Sequence, residues 1–130
     1  MLVIDASALV EALLGTELGL AVRARLRGED LHAPAHLDAE VLSALGRLHR
    51  AGEIDQGAVT TALEQLELAP IQRHPLTGLL KGAWERRESL RLVDALYVEL
   101  AATLDASALL STDARLARAE GRVELLGAPF

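Results

Sequence analysis

Short apolar runs alternate with amphipathic stretches along the whole chain, and no other feature constrains its fold as tightly. Leu2-Val3-Ile4 is an apolar run that ends at Asp5, the length of a buried strand. Residues 7–14 then read as a helix stopped at Gly15. Glu17 to Arg27 sets Leu18, Ala21, Val22 and Leu26 on one side and Arg23 and Arg27 on another, and Gly28 ends it. Leu31 to Ala33 is a short strand before Pro34. His36 to Ala51 is a strong amphipathic helix, with Leu37, Val41, Leu45 and Leu48 at helical spacing and Gly52 as its stop. Asp55 to Leu68 is a further helix, with Asp55 as its N-cap. Pro70-Ile71-Gln72 reads as a strand, Leu76 to Ser89 as a helix, and Leu92 to Leu104 as a nearly apolar, central helix. Ser107 to Ser111 is a strand, Asp113 to Ala119 a short helix, and Arg122 to Leu125 a last strand. The prolines Pro34, Pro70, Pro75 and Pro129 fall at element boundaries. The expected fold is α/β: a parallel five-stranded sheet flanked by helices in three layers, forming one domain over residues 1–130. Ligands of such sheets gather at the carboxyl ends of the strands.

Composition removes several function classes. Aromatics are 2% of the 130 residues, so the core is Leu, Ala and Val, and a base-stacking platform is not expected. There is no cysteine, which excludes disulfide scaffolds, thiolate zinc sites and cysteine nucleophiles. Apolar residues at 51% against 25% charged do not describe a disordered chain. No basic segment precedes Asp5, and charged residues interrupt every apolar run. A soluble, cytoplasmic protein without a membrane span is expected.

Nineteen acidic residues against thirteen basic ones give a net charge of −6, which lacks the basic footprint of a nucleic-acid binder. The alternative to plain solubility is that carboxylates gather at a metal site. Asp5 follows the first strand and Asp113 follows Ala108-Leu109-Leu110, so both belong at the carboxyl edge of the sheet. Glu40 lies about 60° from Leu37 on a helical wheel and borders the buried stripe. It has no Lys or Arg one turn away to explain it. Asp94 stands in the apolar context Leu92-Val93-Asp94-Ala95-Leu96. Each Asp alone reads as well as an N-cap, since all three precede helical runs. Together, four crowded carboxylates would repel one another unless a hard cation such as Mg²⁺ or Mn²⁺ joined them.

Four segments carry a family resemblance. V-I-D-A-S-A-L-V at 3–10, H-L-D-A-E-V-L-S-A-L at 36–45, L-V-D-A-L-Y-V-E-L-A at 92–101 and L-L-S-T-D-A-R-L at 109–116 resemble the successive motifs of PIN-domain nucleases. They are most similar to the VapC-like toxins of toxin–antitoxin modules. The resemblance spans nearly the whole chain and implies that Asp5, Glu40, Asp94 and Asp113 are catalytic, metal-binding acids. Ser7 and Thr112 would be polar helpers beside them. It further implies an Mg²⁺-dependent endoribonuclease, with Mn²⁺ as an alternative, acting by in-line attack of water on an RNA phosphodiester. A small antitoxin whose tail enters the acidic groove and a homodimer are implied with it.

Arg91 and Arg115, next to Asp94 and Asp113 in sequence, are the expected holders of RNA phosphates. Arg47, Arg50, Arg86 and Arg87 are the reserve. His32, His49 and His74 read as surface or satisfied histidines. Two rival functions share the fold. A phosphoacceptor domain also sets acids at strand ends but needs a lysine near the late strands, and the sole lysine is Lys81, in a helix. A non-catalytic interaction module would have lost or neutralised one of the acids.

Overall fold

The alternation read from the sequence forms a doubly wound sheet in the computed structural model, which describes residues 1–127. The boundary expected at Pro129 lies outside them. Five strands run β1 (Leu2–Ile4), β2 (Leu31–Pro34), β3 (Ile71–His74), β4 (Ala108–Ser111) and β5 (Val123–Leu125). They lie in the order β3-β2-β1-β4-β5, and every pairing is parallel. The chain winds outward from β1 through β2 to β3, then crosses back to β4 and β5. The gap between the ends of β1 and β4 is therefore the topological switch point, where such sheets open a crevice.

Helices α1 (Ala6–Leu14), α2 (Glu17–Leu26), α3 (Leu37–Arg50) and α4 (Gln56–Leu68) belong to the outward winding. Helices α5 (Leu80–Glu85), α6 (Leu92–Leu104) and α7 (Ala114–Ala119) belong to the return. α1 packs on α2, α3 and α4, whereas α6 packs on β1, β2, β4 and α5. Right-handed crossovers in opposite directions put the two groups on opposite faces of the sheet. Strand β1 is wholly buried, as expected of a strand covered on both sides. The central position expected for α6 is observed: Ala95, Leu96, Tyr97, Val98, Leu100 and Ala101 are buried. Among the described residues no helix is long and apolar enough to cross a membrane.

The expected helix over Leu76–Ser89 is broken. A 3₁₀ turn at Thr77–Leu79 leads into α5, and turns follow Glu85. Gly78 and Gly82 weaken the helix. A Cβ at Gly82 would meet the Glu99 carboxylate, the end of a long side chain, so α5 and α6 come close together here. Of the two readings of His32, surface or satisfied, the second holds. The residue is buried on β2, with Nδ1 2.8 Å from His74 Nε2 and Nε2 3.0 Å from an Asp30 carboxylate oxygen.

Two expectations follow. A Cβ at Gly19 of α2 would lie 1.8 Å from the Glu11 carbonyl oxygen of α1, a backbone atom, whereas one at Gly46 of α3 meets nothing. In urea unfolding, Gly19→Ala should lose about 1–3 kcal/mol by forcing the two helices apart. Gly46→Ala should gain about 0.5–1 kcal/mol. The second expectation concerns pH. Burial first, then the neighbouring His32 charge, holds the His74 imidazole below its ordinary value. The unfolded chain then binds more protons than the folded one, so stability should fall as pH drops through about 6.5. Thermal melts from about pH 7.5 to about pH 5.5 should show this decline, and His74→Gln should flatten it.

Candidate active site

Asp5 is fixed by its position just beyond β1. Its N–H donates to the Leu110 carbonyl of β4 at 3.1 Å, and its Oδ1 accepts the Ala8 N–H at 3.0 Å, capping α1. Asp113 repeats this beyond β4: Oδ1 accepts the N–H groups of Arg115 at 2.9 Å and Leu116 at 3.4 Å and caps α7. Asp94 is not a cap. It lies in the first turn of α6, whose cap position is Arg91 and makes no side-chain capping bond. Glu40 lies in the first turn of α3.

These four carboxylates line one cleft of about 600 Å³ at the carboxyl edge of the sheet, together with Ser7, Thr112, Arg91 and Tyr97. The N-cap reading and the site reading of Asp5 and Asp113 are therefore compatible. Capping engages Oδ1 and turns the carboxylate toward the crevice. Ser7 and Ser111 join the two strand ends. Ser7 Oγ donates to Asp5 Oδ1 at 2.6 Å and accepts the Thr112 N–H at 3.1 Å, while Ser111 Oγ accepts the Asp113 N–H at 3.0 Å. Ser111, fully buried at the end of an apolar strand, was not singled out in the sequence. The signal for it was a hydroxyl closing Ala108-Leu109-Leu110.

Asp5 is 6% exposed, and burial raises its carboxyl above the ordinary range. The hydroxyls of Ser111 and Ser7 and the Ala8 amide pull the other way, and the charge of Asp94 adds to the rise. Arg91 supplies the nearest positive charge. Its Nε donates to Asp94 Oδ2 at 3.0 Å and its Nη2 lies 3.9 Å from Asp113 Oδ2. Arg115 Nε stands 3.8 Å from Asp113 Oδ1 and lines a smaller recess, of about 190 Å³, that shares Arg91, Asp94 and Asp113 with the cleft. At the other end Arg47 lines the cleft on α3, bonded to Ser43 Oγ at 3.0 Å.

Glu40 has neighbours that a search for Lys and Arg passes over. Tyr97 donates its hydroxyl to Glu40 Oε1 at 2.7 Å, and His36 Nε2 lies 3.4 Å from the same oxygen. Burial first, then Glu40, pushes the Tyr97 phenol well above its ordinary range, so it remains a donor. His36 was legible one turn before Glu40. Tyr97, fifty-seven residues away, was not.

The donor set is entirely oxygen and anionic, which suits a hard divalent cation. As the side chains stand, no three acidic or histidine groups among the described residues are close enough to share one ion. Within this cleft Arg91 engages Asp94 and approaches Asp113.

Comparison with known proteins agrees with this architecture. Residues 2–122 match the PIN domain family. The chain is 56% identical over 126 residues to Ribonuclease VapC3 of Mycobacterium tuberculosis, covering 96% of this chain and 91% of that protein. It is 40% identical over 122 residues to Ribonuclease VapC12 of the same organism, covering 93% of each. Among solved structures, M. tuberculosis VapC20, a sarcin–ricin-loop-cleaving toxin, superposes with a TM-score of 0.73 at 19% identity. That alignment covers 98% of this chain and all of VapC20. PAE2754 from Pyrobaculum aerophilum superposes with a TM-score of 0.68 at 22% identity, covering 96% of this chain and 88% of that one. At these identities the structural likeness is one of fold. The sequence matches carry the assignment further: the chain belongs to the PIN-domain family and, within it, to the VapC ribonucleases.

Proposed function

We propose that this chain is a Mg²⁺- or Mn²⁺-dependent endoribonuclease and the toxin of a toxin–antitoxin pair. The observation that carries the reading is that Asp5, Glu40, Asp94 and Asp113 line one cleft at the switch point of a PIN-family sheet. These four acids hold the cation. When bound, a divalent cation there supplies Lewis-acid polarisation of a phosphodiester and neutralises developing charge. Ser7 orients Asp5, and the Thr112 side chain borders the space left for substrate. The reacting strand enters along α3 past Arg47, crosses the acids and leaves toward Arg115. With a cation held by these acids, Arg91 would no longer be needed to neutralise Asp94 and Asp113 and could pair with an RNA phosphate. The protein acts in the cytoplasm as a homodimer, opposed by a small cognate antitoxin. The phosphoacceptor alternative gains no support, because the cleft lining holds no lysine.

Asn replacements separate chemistry from capping, because Asn caps about as well as Asp. Burial raises the Asp5 carboxyl, so its charge opposes folding at neutral pH. Asp5→Asn should therefore melt at an unchanged or higher temperature in chelator, yet lose RNA cleavage. Asp94→Asn loses an exposed ion pair worth about 0–1 kcal/mol and should likewise melt near wild type but not cleave. Full cleavage by both variants would refute the four-acid reading.

The route of the strand has its own test. On an Asp5→Asn background, RNA affinity is measured against KCl concentration at fixed Mg²⁺. Arg47→Ala, Arg91→Ala and Arg115→Ala should each weaken binding. Each should reduce the log–log salt slope by about 0.7 per lost single-strand phosphate contact. A variant with unchanged affinity and slope removes its arginine from the route.

A further inference from the structure

Glu40 differs from the other three acids in how it is held. Asp5 and Asp113 are short side chains fixed as helix caps, and Asp94 is engaged by Arg91. Glu40 has a longer, freer side chain in the first turn of α3, one-third exposed. An unrestrained glutamate would lose rotamer freedom on taking up a cation, at a cost to affinity.

The structure offers a restraint from another helix. The Tyr97 ring is 1% exposed on α6, and its hydroxyl reaches the cleft to donate to Glu40 Oε1 at 2.7 Å. The His36 ring lies against Tyr97, with centroids 4.7 Å apart and planes tilted by 46°. His36 Nε2 lies 3.0 Å from the Val93 carbonyl, which can only accept, so this nitrogen carries the hydrogen. It is also 3.4 Å from Glu40 Oε1. His36 Nδ1 is buried without a partner, so the ring has no second hydrogen bond to draw it elsewhere. Both contacts fall on Oε1, and Glu40 Oε2 has no hydrogen-bond partner among the described residues.

We infer that Tyr97, assisted by His36, is a positioning residue that fixes Glu40 through Oε1 and presents Oε2 to the divalent cation. The inference rests on the metal-dependent reading above and extends it to a group that touches neither cation nor RNA. A tyrosine that only filled the core would serve equally well as phenylalanine. Removing partners that orient a metal ligand typically lowers metal affinity about 10–100-fold.

The test uses Tyr97→Phe, which keeps the ring and deletes the hydroxyl. Mn²⁺ binding is followed by calorimetry, and metal-free melting is recorded alongside it. Glu40→Gln serves as a reference. Tyr97→Phe should melt near wild type without metal, bind Mn²⁺ about tenfold more weakly, and recover cleavage as Mn²⁺ is raised. His36→Ala should shift Mn²⁺ affinity the same way by a smaller factor. It decides the matter if Tyr97→Phe does not fold. Wild-type Mn²⁺ affinity in Tyr97→Phe, with affinity lost in Glu40→Gln, would overturn the positioning role and leave the four-acid site intact. Wild-type affinity in Glu40→Gln would overturn both.

Discussion

The hydrogen bond from the Asp5 N–H to the Leu110 carbonyl carries the β1–β4 pairing one residue past the end of β1. The arrangement of the cleft depends on it. It holds the exit of β1 beside that of β4 at the one place where the sheet reverses its winding. The first turns of α1 and α7 therefore start from adjacent points, each capped by an aspartate. Ser7 and Ser111 tighten the same junction with bonds that cross from the first turn of α1 to the end of β4. Two carboxylates then lie at one edge because the backbone leaves them no other direction.

The other two acids arrive by different means, yet share a pattern. Asp5, Asp94, Asp113 and Glu40 each commit one carboxylate oxygen to the protein: to backbone amides, to a guanidinium, or to a phenol. Burying negative charge is costly unless it is hydrogen-bonded or paired. One hydrogen-bonded oxygen per acid offsets part of that cost, and the second accepts no hydrogen bond among the described residues, although Arg91 stands 3.9 Å from that of Asp113.

Much of this was legible in the sequence, and what was not has a physical reason. Strand ends, helix spans and the edge positions of Asp5 and Asp113 follow from local periodicity and turn residues, which act over a few positions. The break after α5 does not, because no glycine or proline follows Glu85 within the expected helix to mark the stop. Glu40 stood out by its place beside an apolar stripe, but its phenolic partner comes from a different helix and carries no local signature. Asp94 taken alone reads as well as a cap as a site acid, because it lies at the start of an apolar run. The helix starts at Leu92, as its apolar pattern indicates, which puts Asp94 inside the first turn and leaves its side chain to Arg91 rather than to the backbone.

The Arg91 guanidinium means that the cleft already contains a positive charge. A cation held by Asp94 and Asp113, as proposed, would enter by exchange with this guanidinium rather than by filling empty space. A monovalent ion that displaced the arginine would trade one unit of charge for another and gain little. A divalent ion would leave the carboxylates better neutralised than before. Valence selectivity can thus come from an internal competitor rather than from a cage of fixed size, which suits an open groove that must also admit a polymer.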